Sequence, residues 1–170
     1  MAPPKAIFLD LDDTLIFCNG LPERAWQVVL AGFAGRVAHC GVAEVRDAVM
    51  AASEWFWSDP VRHRTGRLDV LAARRTIIGH AFAALGIDDD ELADALAHEF
   101  DAHRKREMRL HPGVHETLDA LAGRGLKLAL VTNGAGAPQR EKIERFDLGH
   151  RFDHILIEGE FGIGNTKDQR

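Results

Sequence analysis

The patterned part of the chain begins with a short apolar run at 6–11, AIFLDL, closed by acidic residues. A run this short, stopped by acids, predicts a strand buried on both faces of a parallel sheet. From Pro22 the period changes. Trp26, Val29, Leu30, Phe33 and Val37 recur at helical intervals, Pro22 suits a first helical position and Gly41 lies just past the end, so a helix is predicted over 22–39. Further helices are predicted over 43–57, 69–85 and 88–108. Asp59 and Pro60 stop the first of these, because the residue before a proline avoids the helical region. Gly86 ends the second, and Asp88 is the candidate cap of the third. After His111, Pro112 and Gly113 the pattern changes again: a helix over 114–122, the apolar segment LKLALVT ending at Thr132, the loop NGAGAP, a helix over 139–146 and a strand at 154–158.

Strand, helix, strand, helix, strand with short connections predicts right-handed crossovers in a parallel sheet. The expected fold class is therefore α/β, a doubly wound Rossmann-like parallel sheet built from 1–19 and 110–170 and interrupted by an insert of four helices at 20–109. Composition narrows the setting. Lysines and arginines number 21 against 26 aspartates and glutamates, a formal charge of -5, so no clustered basic surface is available for nucleic acid or an anionic membrane. Cys18 and Cys40 are the two cysteines and are not spaced as a thiolate zinc site or a disulfide framework. The N-terminal apolar run is broken by Asp10, Asp12 and Asp13, unlike a signal peptide, and no stretch approaches the roughly 18 apolar residues of a membrane span. The expected location is the cytoplasm.

Chemistry concentrates where an open parallel sheet binds ligands, beyond the carboxyl ends of its strands. Asp10 closes the first predicted strand and Asp12 follows two residues later; Thr132, Asn133 and Gly134 close the second. Adjacent carboxylates repel a phosphate unless a hard divalent cation, Mg²⁺, sits among them with oxygen ligands. Asp10 is then the candidate nucleophile, and Asp12 the acid toward the leaving oxygen and the base toward water. The Thr132 hydroxyl and main-chain donors around Asn133 and Gly134 would hold the phosphoryl oxygens. Thr14 braces the first loop.

FLDLDDTL at 8–15 resembles the first motif of the haloacid dehalogenase superfamily, DxDxT, and LVTNG at 130–134 resembles its second; the insert between them is similar to that superfamily's helical cap. The resemblance implies a Rossmann-like core and an aspartyl-phosphate intermediate. It also implies Mg²⁺ held by the Asp10 carboxylate and the Asp12 main-chain carbonyl, with Thr132 on the phosphate. Asp12, where the dehalogenase branch replaces the second aspartate, favours phosphate chemistry over halide. TNG followed by Gln139 and Arg140 is similar to phosphatases of sugar phosphates and nucleoside monophosphates. The third motif is a lysine after a glycine-rich turn: following EGEFGIG, direct register puts Asn165 at that position, and Lys167 fits after a two-residue shift. The fourth motif, an acidic cluster, does not precede Arg170.

The resemblance thus implies a Mg²⁺-dependent phosphomonoester hydrolase acting on a small phosphorylated metabolite, with Asp10, Asp12 and Lys167 catalytic and its activity impaired in a chain of this length. The alternatives are a phosphomutase, or a non-catalytic truncated fragment that self-associates through an exposed sheet edge. Other clusters have plainer readings. Trp26, Trp55, Phe56 and Trp57 are expected to pack between helices, the arginines at 62, 64, 67, 74 and 75 to form a solvated face, and Cys18 to be filler. The acidic run Asp88 to Glu91 suits a helix start.

Overall fold

The computed structural model describes residues 4–18, 20 and 22–161. In chain order the elements are β1 (Ala6–Leu9), β2 (Ile16–Phe17), α1 (Pro22–Ala31), α2 (Val42–Ser58), α3 (Pro60–Gly66), α4 (Val70–Leu85), α5 (Asp90–Glu107), β3 (Arg109–Leu110), α6 (Val114–Gly123), β4 (Lys127–Thr132), α7 (Gly136–Arg145) and β5 (His154–Ile157). They group into two compact units, one of residues 1–19 with 108–170 and one of residues 20–107.

The first unit is a three-stranded parallel sheet in the order β1-β4-β5. Leu9 pairs with Leu130, Leu130 with Ile155, and Thr132 with Ile157. Side chains alternate along a strand, so Leu9, Leu128, Leu130, Ile155 and Ile157 share one face. That face joins Val114 and Leu118 of α6 and Ile143 of α7 in a single core. The opposite face carries Phe8, 71% exposed, with Val131 and Leu156 also exposed. The expectation that β1 is buried on both faces is therefore corrected. Its strand pairs on one side among the described residues, and the chain steps from β1 to β4 to β5 in one direction. Right-handed crossovers in one direction put both helices on the same side of the sheet. Beside it, β2 and β3 form a two-stranded antiparallel pair, Ile16 opposite Leu110 and Phe17 opposite Arg109.

The second unit is all helical, with a core that includes Val49, Ile78, Leu92 and Leu96. Trp26 stacks on Phe100 with ring centroids 4.0 Å apart, an interhelical packing role. Three sequence expectations change here. The first helix stops at Ala31 and residues 32–40 continue as turns, although Val37 is fully buried. Gly32 and Gly35 weaken helix propagation there. The four expected helices are five, because Asp59 and Pro60 end one helix and start another. The Asp59 carboxylate accepts from the main-chain N–H groups of Val61 and Arg62 at the head of α3, and Pro60 fits the first helical turn. Asp89, not Asp88, caps α5, accepting from Leu92 N–H at 2.9 Å. The arginines have partners as well as solvent: Arg74 pairs with Asp101, Arg75 pairs with Asp94, and Arg62 lies over the Trp55 ring in a cation–π contact. No helix among the described residues is long and apolar enough to cross a membrane.

Candidate active site

Parallel pairing of β1 with β4 brings the residues after Leu9 and those at Thr132 to the same end of the sheet. The chain leaves β1 through a tight reversal. Leu15 and Ile16 N–H both donate to Leu11 O, and Asp13 donates to Ile16 O at 2.7 Å. Asp13 takes φ 57°, a left-handed conformation that aspartate tolerates better than most residues. Leu11 is fully buried and anchors the turn, so Asp10 and Asp12 flank it on the outward side.

The two carboxylates differ sharply. Asp10 is exposed and makes no hydrogen bond or ion pair with the described residues. Asp12 is engaged from three directions. Lys142 Nζ lies 2.9 Å from Oδ1 and 2.8 Å from Oδ2, Gln139 Nε2 donates to Oδ2 at 3.2 Å, and the Cys18 thiol donates to Oδ1 at 3.0 Å. Burial alone would raise the Asp12 carboxyl, but the Lys142 charge with the donors from Lys142, Cys18 and Gln139 outweighs it and holds the group below its ordinary 3.8. Burial, followed by donation to Asp12, pushes the Cys18 thiol up to about 12, which leaves it a donor rather than a nucleophile.

Thr132 is buried, and its Oγ1 accepts from Gln139 Nε2 at 2.7 Å; the same amide lies 2.7 Å from Asn133 O. Gln139 thus ties the loop after β1 to the loop after β4. Asn133 Nδ2 and Gly134 N–H both donate to the buried carboxylate of Glu158 at 3.2 Å. Gly134 has φ +113°, and Gly159 N–H closes the arrangement onto Gly134 O at 2.9 Å. A Cβ on Gly159 would lie 2.7 Å from that same oxygen. The structure therefore brings Asp12, Thr132, Asn133 and Gly134 into one hydrogen-bonded assembly with Asp10 at its solvent side. Lys167 and Asn165 lie outside the described residues.

Oxygen donors suit a hard cation. The uncommitted Asp10 carboxylate and the Asp12 main-chain carbonyl fit Mg²⁺ in kind, and Mg²⁺ keeps several waters and phosphate oxygens in its shell. Among the described residues no group of three or more acidic, histidine or cysteine side chains converges on one point.

Spacing in the sequence did not single out Lys142, Glu158 or the roles of Gln139 and Cys18. A signal for Gln139 was nonetheless present. Ile143 is the one branched aliphatic residue of α7 and faces the core, so the residue a turn earlier faces inward too.

The family of haloacid dehalogenase-like hydrolases matches residues 4–169. A phosphoserine phosphatase of Thermus thermophilus is 34% identical over 181 residues, covering 94% of this chain and 70% of that protein. A glyceraldehyde 3-phosphate phosphatase of Methanopyrus kandleri is 26% identical over 162 residues, covering 94% of this chain and 64% of the relative. Among solved structures, a haloacid dehalogenase-like hydrolase of Xanthomonas campestris has a TM-score of 0.61 at 18% identity, covering 91% of this chain and 61% of that one. YfnB of Bacillus subtilis, a hydrolase of the same kind bound to magnesium, has a TM-score of 0.60 at 16% identity, covering 95% and 66%. The chain spans 61% to 70% of the length of these four proteins. With DxDxT at the end of β1, TNG at the end of β4 and a helical unit between them, the chain belongs to the haloacid dehalogenase-like hydrolases.

Proposed function

We propose that the protein is a Mg²⁺-dependent phosphomonoester hydrolase acting through an aspartyl-phosphate on a small phosphorylated metabolite in the cytoplasm, with the helical unit as its cap. The observation that carries this reading is the Gln139 amide, which bridges Thr132 Oγ1 at 2.7 Å and Asp12 Oδ2 at 3.2 Å. It holds the expected phosphoryl-binding hydroxyl and the expected acid–base carboxylate together beside the open Asp10.

In the mechanism an Asp10 oxygen attacks phosphorus while the ester P–O bond breaks. The negative charge of the bound phosphate offsets the Lys142 charge at Asp12 and favours the protonated carboxyl, and the departing alkoxide takes that proton. Water then attacks the phosphorus of the aspartyl-phosphate, giving its proton to Asp12, and inorganic phosphate leaves as the Asp10 carboxylate is restored. Thr132 Oγ1 and the main-chain N–H of Asn133 receive the charge spread over the phosphoryl oxygens, while the Gly134 N–H is engaged by Glu158 and shapes the loop. The Asp10 carboxylate and the Asp12 main-chain carbonyl would hold Mg²⁺, which would supply charge neutralisation there.

The test is phosphate release from a panel that includes phosphoserine and glyceraldehyde 3-phosphate, the substrates in the names of the two relatives. Turnover should need Mg²⁺, disappear with a chelator, and fall by roughly 10³-fold or more in Asp10→Asn. An Asp10→Asn protein that keeps wild-type turnover removes Asp10 as nucleophile.

A further inference from the structure

Lys142 stands one turn beyond Gln139 on α7, and both side chains converge on the same carboxylate. Neither belongs to the DxDxT or TNG motif. Gln139 is 3% exposed, and burying an amide is unfavourable unless its polar atoms are bonded. Its nitrogen meets three oxygens from two segments: Asp12 Oδ2 after β1, and Thr132 Oγ1 with Asn133 O after β4. Lys142 reaches both oxygens of Asp12 nearly symmetrically, with its side chain 17% exposed against 33% for Asp12. Each Asp12 oxygen thereby has two donors, Lys142 and Cys18 on Oδ1, Lys142 and Gln139 on Oδ2. Rotation of the carboxylate about its last torsion would break contacts on both sides at once.

We infer that Gln139 and Lys142 are a pair of positioning residues that clamp the Asp12 carboxylate against Thr132, fixing the direction from which Asp12 hands its proton to the leaving oxygen. The inference rests on the proposed hydrolase reading and deepens it. Both residues act through Asp12. They divide the labour of the two aspartates, since a carboxylate with four contacts from three donors is held in place and its undonated neighbour is left to attack. A helix is a stiff mount, so both contacts register against one element, and small angular errors at a proton donor are costly in rate.

The experiment compares two substrates with leaving groups of different basicity. An alkyl phosphate needs a proton from Asp12 as its bond breaks; p-nitrophenyl phosphate leaves as a stabilised phenolate and needs it little. In Lys142→Met, kcat/KM for the alkyl phosphate should fall by about 10²-fold, and for p-nitrophenyl phosphate by less than about 10-fold. Lys142→Arg, which keeps charge and donors, should recover most of the loss, and Gln139→Leu should show the same substrate asymmetry at smaller size. Equal falls for both substrates, or no fall, overturn the clamp.

A measurement independent of turnover separates this failure from that of the proposed function. Asp12→Asn, Lys142→Met and their double variant are compared in thermal unfolding. If the clamp exists, the two single losses in Tm exceed the loss in the double variant when summed; simple additivity overturns it even if Lys142→Met folds too poorly to assay. A wild-type protein without phosphatase turnover but with that coupling refutes the hydrolase reading, and with it the positioning role, while the contact itself stands.

Discussion

Two aspartates separated by one residue end with different chemistry because of what surrounds them. Leu11, fully buried, turns both carboxylates outward, and donors gather on only one. Long side chains from α7 make that difference, and their reach across two loops leaves no trace in the spacing of DxD or TNG. The aspartates and the threonine were legible as residue types at strand ends; the amide and ammonium that connect them were not. Gly159 is a second case. Its N–H meets Gly134 O, and an added Cβ would fall 2.7 Å from that oxygen and 2.9 Å from Ala135 Cα, both main-chain atoms that cannot swing aside. Gly159→Ala should therefore displace the loop after β4, costing about 1–3 kcal/mol in denaturant unfolding and lowering turnover. An alanine variant of unchanged stability and activity would show that the loop has room the structure denies.

Helices and strands were legible wherever apolar period and stop signals agreed. The strand at Thr132, α4 ending at Gly86 with φ 68°, and the helix from Val114 follow the sequence pattern closely. The miscounted helices of the insert have a simple cause: one residue serves two elements. Asp59 both ends α2 and heads α3, so a stop signal concealed a start. Asp153 similarly joins elements, receiving Lys127 Nζ and Leu128 N–H at the beginning of β4 while lying just before β5. The hydrogen bond from Lys127, then that from Leu128 N–H, lowers its carboxyl from the ordinary 3.8. A carboxyl depressed in the folded state contributes stability that is complete above its unfolded value and is lost as pH falls through the folded one. Asp153→Asn should thus lower Tm at neutral pH, and the gap to wild type should close as pH falls below 3.8 and through the lowered folded-state value. A gap that stays constant over that range would show that the charge of Asp153 is irrelevant to the β4–β5 junction.

At the scale of the molecule, two cores share no residue. One gathers Leu130, Ile157 and Leu118 under the sheet; the other gathers Leu96, Ile78 and Trp26 among the helices. Leu96 and Leu130 are both fully buried, and truncating either to alanine should cost about 2–5 kcal/mol. The damage should be local to each unit. In hydrogen exchange, Leu96→Ala should release amides of α1, α2, α4 and α5 while β4 keeps its protection, and Leu130→Ala should do the reverse. Uniform loss throughout in either variant would show that the units unfold as one.

What the sequence by itself determined is local: the alternation of strand and helix, the acids and the threonine at strand ends, and the family they mark. These follow from hydrophobic period, turn chemistry and motif, all carried by residues near one another in the chain. Only the tertiary structure decided which face of the sheet is covered, that the insert holds five helices, and that Gln139 and Lys142 close on Asp12 from about 130 positions away. Such contacts depend on crossover handedness and side-chain reach, which become defined once the strands have paired.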